Sequence, residues 1–211
     1  DTYNPSQVFS SIDRMGRYAY SNQPDIAVWN LAQLATALIQ QFEDREAAVE
    51  EATEIVHAMP EMIRQHWLAR FGAKIGLANA RPEDAGLIAD LLSRMAENQA
   101  DFTNTFRALA SDEARDHFTD PSAFDGWQTE WQSRLKDEKD PLAVMQGANP
   151  AFIPRNHRIE QMIKAAVEGD YAPFERLNTV LARPYEDQPE HADLARSPTP
   201  DEVVPATFCG T

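Results

Sequence analysis

The chain has 211 residues, 43% of them hydrophobic, with 34 Asp or Glu against 19 Lys or Arg and a formal net charge of −15. That charge repels phosphate backbones and anionic head groups, which argues against nucleic acid and membrane as partners, and no apolar run approaches the roughly 18 to 20 residues that span a bilayer. A single cysteine, Cys209, excludes an internal disulfide and suits a reducing compartment, so a cytoplasmic location is expected.

In chain order, the first strong pattern is PDIAVWNLAQLATALIQQF, residues 24 to 42. Its Ile26, Trp29, Leu31, Leu34, Leu38 and Phe42 recur mostly at spacings of three and four, which predicts a buried amphipathic helix. From Arg45 to Asn79 the pattern stays helical behind an acidic opening of Glu46, Glu50, Glu51 and Glu54. Pro60 lacks a donor and crowds the preceding turn, so a break or kink is expected there. Pro82 sits at the expected first position of the next helix, with Leu87, Leu91 and Met95 repeating every four residues. Two shorter helices follow over 101 to 110 and 121 to 136, with core stripes of Phe102, Phe106, Leu109 and of Phe124, Trp127, Trp131, Leu135.

The last block opens with Pro150 and Pro154, runs helically through Ile159, Ile163 and Val167, stops at Gly169 and restarts near Pro173. Beyond Leu181, prolines at 184, 189, 198, 200 and 205 read as an extended tail. The predicted fold class is mainly α, with a helical domain over 1 to 182 and an extended Pro-rich tail over 183 to 211. The N-terminal residues show no leader and no initiator methionine, so a piece of a longer protein is expected.

Chemistry is hard to find in these residues. None of the eight glycines forms GxGxxG or GxxxxGK[ST], and the nearest run, Gly72-Ala73-Lys74-Ile75-Gly76, has the wrong spacing for a phosphate loop. His57, His66, His117, His157 and His191 never fall at i, i+3 or i+4 of one another, and Pro60 stands between His57 and Glu61. Acidic pairs such as Glu50-Glu51 and Asp137-Glu138 read as solvated faces, since adjacent helical residues do not face each other. Taken alone, these features describe an acidic helical domain, and one reading is a free-standing protein-interaction module that binds a basic partner.

Two segments are more specific: GRYAYSNQPDIAVWNLAQLA at 16 to 35 and NPAFIPRNHRIEQMIKAAVEGDYAPFERL at 149 to 177, followed by ARPY and TFCGT. Together they closely resemble the selenoprotein O (SelO) family of kinase-like protein adenylyltransferases. The resemblance implies a parent protein with a kinase-like fold that binds ATP with Mg or Mn and transfers AMP to Ser, Thr or Tyr hydroxyls of protein substrates. In that family the metal-binding aspartate lies in a DYGPFGF-like stretch leading into a segment similar to Asp1-Thr2-Tyr3-Asn4-Pro5. The resemblance therefore places the catalytic, nucleotide-binding and metal residues ahead of Asp1, in an N-terminal kinase-like half. No catalytic, cofactor or metal residue is assigned to this chain, which is expected to be inactive alone.

What this chain is expected to supply is the helical C-lobe as scaffold or substrate surface, with the helix holding Trp29, Asn30 and Leu31 as its central pillar. Family-motif candidates for that role are Arg17, Tyr18, Gln23, Trp29, Asn30, Arg155, Asn156 and His157. Arg155, Asn156 and His157 match the family's PRNH motif, where capping and tethering the following helix is the structural reading. TFCGT looks like the cysteine version of a family tail that carries Cys or selenocysteine third from the end, making Cys209 a redox candidate. Phe9 stands where many members have the cysteine that could pair with it. Apolar surface left by the absent half is expected to drive self-association.

Overall fold

The computed structural model describes residues 1–206, which are mainly helical. Among them there is no β-strand, only one isolated antiparallel bridge between Thr2 and Asp101. They divide into two compact units, one of Asp1–Tyr3 with Ala69–Pro205 and one built on Asn4–Leu68.

The unit built on Asn4–Leu68 holds helix α1, Gln23–Leu38, and most of α2, Arg45–Lys74. Pro24 lies in the first turn of α1, where its missing N–H costs nothing. The expectation of a buried helix is corrected: α1 has no buried residue, and Trp29, Leu34 and Leu38 are each about half exposed. The periodicity is real, but burial needs a second apolar layer, and among the described residues of this unit only Ala19 and Ala48 are buried.

Of the break or kink expected at Pro60, the break is corrected, because α2 runs on through it from Arg45 to Lys74. Proline removes the donor that would meet the Val56 carbonyl, yet Ala, Glu, Met and Arg dominate both flanks and favour helix strongly enough to carry the element across. Glu61, one turn beyond His57, instead bonds Gln65 at 2.7 Å and pairs with Arg64.

The last turn of α2 belongs to the larger unit and ends in a left-handed cap. Gly76 sits at φ +89°, the Leu77 N–H donates to the Gly72 carbonyl at 2.8 Å, and the Gly76 N–H donates to Ala73 at 3.1 Å. That double bond pattern satisfies carbonyls the helix end would otherwise orphan. The glycines of the rejected phosphate-loop candidate thus build a helix terminus. Gly72 also permits close packing, since a Cβ there would lie 2.4 Å from the Ala80 Cβ.

Helix α3, Asp84–Glu97, begins two residues after Pro82, which occupies the preceding turn. It packs its Leu87, Ile88, Leu91, Leu92 and Met95 face on α5, Ser122–Leu135, which contributes buried Phe124, Trp127 and Trp131. In the chain between them comes α4, Phe102–Ala108, where Phe106 and Leu109 of the predicted stripe are buried and Phe102 is half-buried. Helix α6, Pro141–Ala148, escaped the sequence reading although Asp140 and Pro141 mark its start, and the Asp140 carboxylate caps the Ala143 N–H at 3.2 Å.

A second core joins α7, Asn156–Val167, to α8, Ala172–Leu181. The stop at Gly169 is observed, with φ +89° and an Asp170 N–H to Ala165 carbonyl bond of 2.9 Å. Part of the stretch read as an extended tail is packed here. The Pro184 carbonyl accepts the N–H groups of Ala151 and Phe152, a 3-10 turn covers Pro189–His191, and the short α9, Ala192–Ala195, buries Leu194 against Phe152, Leu177 and Val180. Proline content suggested extension, but one buried leucine and the Pro184 carbonyl, which proline keeps for accepting, hold the segment down.

Candidate functional site

The family-motif residues fall into two groups, one in each unit. In the smaller unit the Asp13 carboxylate gathers a turn by accepting the Arg17 N–H at 2.9 Å and the Tyr18 N–H at 2.7 Å. Gly16 takes φ +66° inside that turn, and its carbonyl accepts Asn22 Nδ2 at 2.8 Å. The turn sets the Arg17 guanidinium 4.2 Å from the centre of the Trp29 ring and 5.7 Å from that of Tyr18. Gln23 Nε2 donates to the Tyr18 carbonyl, so Arg17, Tyr18, Gln23 and Trp29 form one exposed constellation at the start of α1. Asn30, on the same helix, is exposed.

In the larger unit Arg155 is the centre of a buried polar node, its side chain fully enclosed. Its guanidinium donates to Asp101 at 2.6 and 3.3 Å, to Asn104 Oδ1 at 2.8 Å and to the Asp1 carboxylate. Asp101 also caps α4 by accepting the Asn104 N–H at 2.9 Å, and it takes the Ser197 hydroxyl at 2.6 Å. Burial alone would raise the Asp101 pKa, but the hydrogen bond and charge of Arg155, with the Asn104 N–H and Ser197 hydroxyl, outweigh it and hold the carboxyl below its ordinary value. The Arg155 side chain ties Asp1, Asp101 and Asn104 together and does not cap α7; only its backbone carbonyl serves that helix, accepting from Arg158 and Ile159.

Asn156 is exposed, whereas His157 is 2% exposed and neither ring nitrogen has a hydrogen-bond partner among the described residues. Burial lowers the His157 pKa, and Arg158, Arg196 and Arg155 push the same way against Glu202. Glu202 is itself brought down to about 2 by the Thr199 N–H and by Arg196. The sequence reading missed Asp101, Asn104 and Ser197, though an Asp directly ahead of the aromatic stripe is an N-cap signal.

Two further features complete the larger unit. The Asp137-Glu138 pair is not simply a solvated face: the Glu138 side chain is 8% exposed, accepting Arg134 at 2.9 Å and the Ala78 N–H at 3.2 Å, while Arg134 also binds Asp84 through two donors. A cleft of about 590 Å³ is lined by Arg107, Gln146, Phe152, Asp187, Gln188 and Arg196 among others, with Arg107 held to the Asn149 carbonyl at 2.9 Å and to Asp187 at 2.6 Å. Among the described residues no group of three or more His, Cys, Asp or Glu side chains is placed to hold a metal, and no helix is long and apolar enough to cross a membrane. Cys209 lies outside the described residues.

Residues 1–182 match the family model described as protein adenylyltransferase SelO. The chain is 70% identical, over all 211 residues, to the protein nucleotidyltransferase YdiU of Ruegeria pomeroyi, and it covers 45% of that protein. It is 63% identical over its whole length to the protein of the same name from Roseobacter denitrificans, covering 44%, and 53% identical to that of Bradyrhizobium diazoefficiens, covering 46%. The chain therefore spans under half the length of these relatives, and its sequence places it in the protein adenylyltransferase SelO family.

Proposed function

We propose that this chain forms the C-terminal helical part of a protein adenylyltransferase that moves AMP from ATP to Ser, Thr or Tyr hydroxyls of protein substrates. The observation that carries the reading is the family match over residues 1–182, together with 70% identity across the whole chain to a named nucleotidyltransferase. In this reading the helices are the C-lobe of a kinase-like fold. ATP and Mg or Mn are held by the N-terminal half, which is this chain's principal partner. Catalysis of such a transfer rests on positioning and on neutralising developing charge, and no nucleotide or metal ligand is assigned to this chain. Its part is to scaffold that half and to offer protein-facing surface, with the Arg17, Tyr18 and Trp29 group as one such surface.

The test is AMP transfer by the full-length protein given ATP and Mg or Mn, read as adenylate-sized mass increases on protein hydroxyls. Activity in the full-length protein and none in this chain alone is the expected result; an AMP adduct formed by this chain alone overturns the division of labour. Thermal unfolding of the chain with Mg-ATP gives a second reading, since ligand at about 100 times its Kd adds about 2.7 kcal/mol of stability. No shift is expected.

A further inference from the structure

Arg155 is tied to a residue 154 positions away, and through it to the backbone of the first three residues. The Tyr3 N–H donates to the Ala100 carbonyl at 2.9 Å, the Phe102 N–H donates to the Asp1 carbonyl at 2.8 Å, and Thr2 bridges Asp101. These two backbone bonds hold only a three-residue stretch, too short to persist as an isolated strand pair. What secures them is charge: one guanidinium stands between the carboxylates of Asp1 and Asp101, which without it would repel each other across the pairing. Asp101 is held from the other side by the cap on α4 and by Ser197, whereas the Asp1 carboxylate is held in the node by Arg155. Immediately before Ala100, Gln99 holds φ +53°, a conformation a non-glycine side chain adopts only under constraint.

In the full-length relatives the polypeptide continues on the N-terminal side of the position that Asp1 matches, into the larger portion of the protein. The geometry points to Arg155 as a positioning residue for the adenylyl-transfer reaction: by clamping Asp1 against Asp101 it fixes the point at which the polypeptide of the N-terminal portion enters the helical part. The inference rests on the function proposed above. Arg155 touches neither substrate nor cofactor in this role, and it acts through Asp1 alone.

The experiment uses the full-length protein with Asp1→Asn, Arg155→Gln, Arg155→Lys and the Asp1→Asn/Arg155→Gln double variant. Asp1→Asn is the informative change, because it leaves the buried Arg155 and Asp101 pair in place and so spares the fold. Hydrogen exchange at the Tyr3 and Phe102 amides is expected to quicken about tenfold in Asp1→Asn and Arg155→Gln as the clamp opens. The kcat for AMP transfer is expected to fall about tenfold in both, with the double variant no worse than Arg155→Gln and Arg155→Lys partly restored, because the misplacement is shared rather than additive. Unchanged amide exchange in Asp1→Asn overturns the clamp, and faster exchange with unchanged kcat overturns the positioning role. A wild-type protein that transfers no AMP defeats the functional reading instead, and the exchange measurement still judges the clamp.

Discussion

Trp127 lies on Trp131 with ring centroids 5.1 Å apart and planes 17° from parallel, and their indole N–H groups donate to carbonyls of two different segments. Trp127 reaches Leu87 of α3 at 2.8 Å, and Trp131 reaches Ile75, just past α2, at 2.7 Å. One helix face thereby joins three parts of the chain, combining apolar burial with two satisfied donors.

Trp131→Phe is expected to keep most of that packing but to leave the Ile75 carbonyl buried without its partner, costing about 1–3 kcal/mol. Trp131→Ala adds a cavity and is expected to cost about 3–5 kcal/mol. Urea unfolding followed by near-ultraviolet circular dichroism measures both; no loss in Trp131→Phe would contradict the role given to the hydrogen bond, and equal losses in the two variants would contradict the role given to packing.

Stability is expected to decline in two separate pH windows. The His157 pKa is lowered in the folded chain by burial and by neighbouring arginines. As pH drops below the ordinary imidazole value of about 6.5, the unfolded state takes up a proton that the folded state resists, and stability falls. Asp101 is held below its ordinary value, so its contribution is complete above about pH 3.9 and is lost as pH falls through its lowered folded pKa. His157→Gln is expected to flatten the upper window and leave the lower one. An unchanged slope between pH 5 and 6.5 would show that His157 does not carry it.

Pro60 sits inside α2 and is exposed. Since proline is about 3 kcal/mol worse than alanine in a helix interior, Pro60→Ala is expected to raise the helix signal and thermal resistance of the Asn4–Leu68 unit. Local exchange rates along α2 check this directly, and slower exchange confined to the turn around Val56 is the expected pattern. A loss of stability would mean that the proline fits a bend the helix needs.

Leu31, Leu34 and Leu38 leave α1 with an apolar stripe that is 44% to 50% exposed. Such a stripe in water favours association, so this chain by itself is expected to sediment as a concentration-dependent mixture. Leu34→Glu with Leu38→Glu should return it to monomer. A strictly monomeric parent chain at high concentration would count against the stripe as an adhesive face.

The helical class, the aromatic stripes of α4 and α5 and the stop at Gly169 were legible in the sequence because each depends on near neighbours: a period of three to four, or one residue without a Cβ. Family membership was legible for a related reason, since linear segments around Arg17 and Arg155 carry it. The sequence could not say which face finds a partner. The α1 stripe has the right period and no covering layer, whereas Leu194, in a stretch that reads as tail, has one. Nor could it join Arg155 to Asp1, Asp101, Asn104 and Ser197, residues drawn from four parts of the chain. Burial and charge pairing are properties of what is brought near in space, and only the tertiary structure decides that.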